Sequence, residues 1–160
     1  MMGKAPKRLG EFLVQKGILT QDQLVAALEA QRSSGEFLGA LLVRRGWVTE
    51  EQVLAALSEQ FGIPRVHLAE QQADWSVAQQ FSATLLVEHG CFPLRQNAGS
   101  VTVAISNPLD VWTVSALEKE ARGRRVELVL ATPHEIEAKI RQFHQRTLEQ
   151  MKEKEEPGGQ

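Results

Sequence analysis

RLGEFLVQKGILTQDQLVAALEAQ, residues 8–31, returns 29 positions later as FLGALLVRRGWVTEEQVLAALSEQ, residues 37–60. Eleven of the 24 aligned columns are identical: Leu9/Leu38, Gly10/Gly39, Leu13/Leu42, Val14/Val43, Gly17/Gly46, Thr20/Thr49, Gln23/Gln52, Ala26/Ala55, Ala27/Ala56, Leu28/Leu57 and Gln31/Gln60. Five residues, Arg32 to Glu36, separate the copies. A repeat of this fidelity implies two copies of one structural unit packed together. Two related half-sites on one chain suit a ligand that is itself two-fold symmetric.

Each copy carries its own start and stop signals. Leu9, Phe12 and Leu13 recur at helical spacing, and Lys16-Gly17 ends that short helix with a basic last turn and a glycine suited to the left-handed position. Thr20 then opens a capping box, with its hydroxyl accepting from the third amide and Gln23 reaching back. Leu19 and Leu24 flank the box as a hydrophobic staple. The second copy repeats the device with Thr49, Gln52, Val48 and Val53. The repeat therefore predicts four helices, alternately short and long.

Beyond the repeat, Phe61-Gly62-Ile63-Pro64 stops the fourth helix and the chain runs extended to Leu68. Residues 69–76 are polar and read as a connector. Val77, Phe81 and Leu85 predict a helix over 77–88. The period then changes: Cys91-Phe92-Pro93-Leu94 and Val101 to Ile105 read as strands around a turn at 97–100. A helix over about 110–121, a strand Arg125 to Leu130 and a helix opened by Thr132-Pro133 follow. The expected fold class is α+β. A four-helix tandem-repeat lobe (1–68) precedes a small α/β lobe (77–146) with a three-stranded sheet, then a charged flexible tail (147–160).

Composition narrows the chemistry. The 160 residues carry a net charge of −2, which argues against a nucleic-acid polymer as partner while leaving room for one compact nucleotide. The single cysteine, Cys91, precludes an intramolecular disulfide and favours a reducing compartment. No signal-peptide core and no apolar run of membrane-spanning length is present, so the expected location is cytoplasmic, without membrane insertion. The four histidines do not fall into metal-ligand spacing with Cys91 or a carboxylate pair, and there is no phosphate-binding P-loop. The chain is thus expected not to be an enzyme, and to need no cofactor or metal.

The candidate site lies on the repeat. Leu24, Leu28 and Gln31 form one helical stripe, and Val53, Leu57 and Gln60 form its counterpart. For any one of these leucines a place in the core is the better explanation. The glutamine that ends both stripes is not, since an amide with donors and an acceptor suits a base edge or a ribose. Gly10 and Gly39, in the first turn of their helices, allow either a ligand or a neighbouring helix to approach the backbone. Arg8 could stack on a purine or donate to the O6/N7 edge of guanine. Its counterpart, Phe37, can stack but not donate.

This doubled pattern, RLG-x-x-Φ-Φ-x-x-G-Φ-Φ-x-x-x-x-L-x-x-x-L-x-x-Q with Φ aliphatic, resembles the N-terminal domain of type II secretion and type IV pilus assembly ATPases. In its nucleotide-binding form that is the MshEN domain, a cyclic di-GMP receptor. The resemblance spans nearly all of residues 7–146 and includes Phe92-Pro93-Leu94, Val101 to Ile105 and Asn107-Pro108-Leu109-Asp110. It implies ligand contacts at Arg8, Leu9, Gly10, Leu24, Leu28, Gln31, Leu38, Gly39, Val53, Leu57 and Gln60. Phe37, Asn107 and Asp110 are further candidates. The departures are Phe37 for arginine, Val53 for leucine and Trp47 for an aliphatic residue.

The resemblance further implies a partner: a motor ATPase, or an inner-membrane component of its assembly platform. The chain is then either a stand-alone adaptor or a regulatory domain of a longer protein. Two other readings stay open. One is a degenerate copy of the fold that only docks proteins, and the other is a generic helical module. The conjunction of Arg8, Gln31, Gln60 and both glycines separates the first reading from these.

Overall fold

The computed structural model describes residues 8–155, and the chain divides into two units at Ile63/Pro64. The first unit holds α1 (Leu9–Gln15), α2 (Gln21–Ser34), α3 (Leu38–Arg44) and α4 (Glu50–Phe61), the expected alternation of short and long helices.

Its boundaries follow from local chemistry. Thr20 and Thr49 each accept from the third helical amide, at 3.1 and 3.0 Å, and Gln23 and Gln52 accept from the threonine amides at 3.0 and 2.9 Å. Both boxes are complete. At the ends of α1 and α3 the Schellman pattern appears twice. Gly17 and Gly46, at φ 76° and 75°, donate to Val14 O and Val43 O, while Ile18 and Trp47 donate to Leu13 O and Leu42 O. Replacing Thr20 or Thr49 by alanine is expected to cost about 0.5–2 kcal/mol. Thermal melting of the two variants checks this, and a parent-like curve would contradict the role of the caps.

The second unit contains α5 (Trp75–Ala78), α6 (Ala83–His89), β1 (Cys91–Asn97), β2 (Ser100–Ile105), α7 (Val111–Glu120), β3 (Arg125–Leu130) and α8 (Pro133–Glu155). β1 and β2 form an antiparallel hairpin. β3 pairs parallel to β2 after the α7 crossover, giving the order β1-β2-β3. Pro93, which has no amide to donate, lies in the outer strand β1 beside a register shift between Pro93 and Arg95. The core joins Phe92, Leu94, Val103, Ile105 and Leu130 to Ile136, Ile140 and Phe143 of α8.

Four expectations are corrected. The first unit ends at 63 rather than 68, because residues 64–66 join the sheet. Leu130 N donates to Pro64 O at 2.7 Å, and Val66 N donates to Leu130 O at 2.8 Å. The helix expected over 77–88 is two helices. Ser82 caps α6 with its hydroxyl on Leu85 N, while Glu120 accepts from Ser82 N and Oγ and holds the break. The connector 69–76 contains a 3₁₀ turn, Leu68–Glu70, and the start of α5. There Trp75 stacks on Phe143 at 6.0 Å and meets Phe92 edge-on at 5.9 Å. Finally, residues 147–155 of the expected tail are helical, as the end of α8. Residues 156–160 lie outside the described residues.

α8 opens on a third capping box, Thr132-Pro133-His134-Glu135. Burial alone would raise the Glu135 carboxyl. The Arg65 guanidinium at 2.7 Å and hydrogen bonds from the Leu68 and Thr132 amides outweigh it and bring it from 4.5 down to about 2. Because the folded value is the lower one, this contribution is present above about pH 4.5 and lost as pH falls toward 2. Discounted for solvent screening, it is about 1–2 kcal/mol. Urea unfolding between pH 5 and 2 is expected to show this slope in the parent and a flatter one in Glu135→Gln.

Candidate functional site

The site residues of the first copy sit where α1 meets α2. Arg8 is the exposed residue that caps α1 through its backbone, with its carbonyl accepting from Phe12 N at 3.0 Å and no capping bond from its side chain. Leu9 and Gly10 follow, both buried in the first turn. A Cβ built on Gly10 would stand 2.3 Å from Leu24 Cδ1 and 3.2 Å from Leu38 Cδ2. Gly10, Leu24 and Leu38 thus converge, and the contact crosses from one copy to the other.

The second copy repeats this arrangement with one change. A Cβ on Gly39 would stand 2.8 Å from Val53 Cγ1, the counterpart of Leu24, and 2.7 Å from Phe37 Cε1. The Phe37 ring therefore folds back onto the first turn of α3. In both copies a Cβ at the glycine would force the neighbouring side chains to shift.

Along the stripe the symmetry fails in an informative way. Leu24 and Val53 are both buried, at 4% and 6% exposure. One turn on, Leu28 is 40% exposed whereas Leu57 is fully buried, and Val25 is 52% exposed whereas its counterpart Leu54 is 2%. The first stripe presents an apolar surface and the second is largely core. The closing amides differ too. Gln31 donates through Nε2 to Glu36 O at 3.1 Å, and Gln60 has its Oε1 turned away from solvent.

The spacer read only as a separator turns out to be structured. Glu36 takes the Gln31 amide on its carbonyl and the Arg44 guanidinium on its carboxylate, at 2.5 Å. Sequence inspection missed this pair because no helical or strand spacing links positions 36 and 44.

The two candidates from the second unit have structural employment. Asn107 Oδ1 accepts from Leu109 N at 2.9 Å. Asp110 caps α7, accepting from Thr113 N at 3.1 Å and Thr113 Oγ1 at 2.7 Å, and that hydroxyl also meets His89 Nδ1 at 3.0 Å. Both residues belong to the other unit from the repeat stripes. The thiol of Cys91 is buried and pushed up to about 12, first by burial and then by Glu120 and Asp110, so it stays protonated and unreactive. Among the described residues no group of histidine, cysteine and carboxylates is arranged to hold a metal ion. None of the described helices is long and apolar enough to cross a membrane. A cleft of about 430 Å³ in the second unit is bordered by Glu135 and Lys139. Both are engaged within the fold, Lys139 through Leu68 O and Gln71 O at 3.2 and 3.1 Å.

The MshEN domain model matches residues 61–150. The type IV pilus assembly ATPase PilB of Myxococcus xanthus is 28% identical over 137 residues, 86% of this chain and 24% of that protein. PilB of Thermus thermophilus is 35% identical over 114 residues, 70% of this chain and 13% of that protein. The chain thus spans a quarter or less of the length of these relatives. Among solved structures, MshE with cyclic di-GMP superposes with a TM-score of 0.78 at 26% identity, over 86% of this chain and 99% of that one. That share exceeds the second unit, so part of the repeat is included. The N-terminal domain of XpsE has the same fold, with a TM-score of 0.71 at 24% identity.

Proposed function

This chain belongs to the MshEN domain family, and from that membership we propose that it is a cyclic di-GMP-binding regulatory domain or stand-alone adaptor. In this reading it is linked to a motor ATPase of the type II secretion or type IV pilus kind, and is itself not an enzyme. The observation that carries the proposal is the pair of half-sites within one unit. Arg8, Leu9, Gly10, Leu24, Leu28 and Gln31 recur in register as Phe37, Leu38, Gly39, Val53, Leu57 and Gln60. The likeness to MshE, solved with cyclic di-GMP, supports the same ligand. A ligand with two guanosines and two phosphates matches two related half-sites without a dimer.

The arrangement supports unequal half-sites. The first offers a guanidinium, an exposed leucine face and a glutamine, while the second offers Phe37 and a buried stripe. Asp110 and Asn107, already engaged as a cap and a turn, are weaker candidates for a guanine contact than the repeat residues. A second reading, docking without nucleotide, draws on the Phe37 ring, which lies against the very glycine a ligand would approach.

Calorimetric titration tests the proposal. Cyclic di-GMP is expected to bind at one ligand per chain. Cyclic di-AMP is expected to bind far more weakly because guanine presents two acceptors to Arg8 where adenine presents one acceptor and an amino group. GTP is expected to bind far more weakly because it has one guanosine for two half-sites. One ligand per two chains would contradict the intrachain site. No heat at micromolar ligand would favour docking alone.

A further inference from the structure

We propose that Arg44 supplies the cation that the second half-site lacks at Phe37: its guanidinium parts from the Glu36 carboxylate and donates to a phosphodiester oxygen of the bound cyclic dinucleotide. The inference rests on the cyclic di-GMP reading and names a residue that the repeat pattern does not.

Comparison of the two copies motivates it. Where the first has Arg8 and Gln15, the second has Phe37 and Arg44, so the positive charge has moved from the start of the short helix to its last turn. The structure brings it back. Arg44 Nη2 meets Glu36 Oε1 at 2.5 Å, and Glu36 immediately precedes Phe37, the residue that caps α3. The Glu36 carbonyl also accepts the Gln31 amide at 3.1 Å. The guanidinium is therefore tethered to the residue that joins the end of the first stripe to the start of the second copy.

Electrostatics make the exchange feasible. The Arg44 guanidinium holds the Glu36 carboxyl below its ordinary value, so the glutamate is anionic and keeps the arginine in place near neutral pH. Both side chains reach solvent, at 59% and 30% exposure, so the pair is a weak one that can be traded. A phosphodiester is permanently anionic and accepts a charge-assisted bond of the same kind, while the released carboxylate returns to water. Two other cations of α1 and α3 and their ends have partners elsewhere. Lys16 pairs with Glu59 at 3.1 Å, and Arg45 lies over the Trp47 ring at 5.6 Å.

The test is calorimetry with cyclic di-GMP on the whole chain and on Arg44→Gln, Glu36→Gln and Arg45→Gln, each with a melting curve. Arg44→Gln is expected to weaken binding roughly tenfold, the loss of one charge-assisted contact, while melting like the parent. Glu36→Gln frees the guanidinium and is expected to bind at least as tightly as the parent. Arg45→Gln is expected to match it. Equal weakening by Arg44→Gln and Glu36→Gln would mean that the pair only braces the spacer, and would overturn the inference. So would Arg44→Gln binding like the parent while Arg8→Ala binds weakly, a result that leaves the receptor reading intact. A parent chain that binds no cyclic di-GMP overturns both.

Discussion

Arg8→Ala is expected to weaken cyclic di-GMP about 10- to 100-fold, equivalent to roughly 1–3 kcal/mol for an arginine–guanine contact. Its melting temperature is expected to stay at the parental value. Both halves of this expectation come from the same placement. Arg8 is exposed, stands at the first described position before α1, and contributes only its carbonyl to the helix. Truncating the side chain therefore removes no buried contact and no capping bond. The second copy has no arginine at the corresponding position, because Phe37 stands there. Arg32→Ala is the control. It is equally basic and exposed, lies at the end of α2, and is expected to bind nearly as the parent does. Equal binding by the two variants would make Arg8 a solvated terminus and give the docking reading the lead.

Leu57→Ala and Leu28→Ala should separate stability from binding, although the two positions are equivalent in the repeat. Leu57 is fully buried in α4, so its truncation removes apolar contacts and leaves a cavity, at a cost of about 2–5 kcal/mol. Leu28 is 40% exposed on α2, so its truncation should scarcely change unfolding. In the proposed site the order reverses. Leu28 can meet a base directly, whereas Leu57 can act on the ligand only by holding α4 in place. Denaturant unfolding of both variants, followed by titration under conditions where each is fully folded, gives the comparison. Equal losses of stability would contradict the asymmetry of the two stripes.

That asymmetry marks the boundary between what was legible in the residues and what was not. The caps, the Schellman turns and the hairpin depend on groups within a few residues of one another, so Thr20-x-x-Gln23, Lys16-Gly17 and the turn at 97–100 could be read directly. The candidate stripes were legible for the same reason, since a period of three to four residues places Leu24, Leu28 and Gln31 on one face. The single helix expected over 77–88 failed where a distant group intervened. Ser82 begins a new helix, and Glu120, 38 residues away, grips it. Trp75 looked like part of a connector because its partners, Phe92 and Phe143, come from a strand and a helix far along the chain.

By itself the sequence determined the repeat, its four helices and their ends, and the residue types offered to a two-fold ligand. These are local properties, and similar segments adopt them alike, as the matched capping boxes and the matched φ of Gly17 and Gly46 demonstrate. Only the tertiary structure decided that Leu28 is exposed and Leu57 buried, that Leu24 and Val53 pack over the two glycines, and that Glu36 holds Arg44. Burial and ion pairing depend on what neighbouring elements bring to a side chain, and α2 and α4 have different neighbours although their sequences are alike.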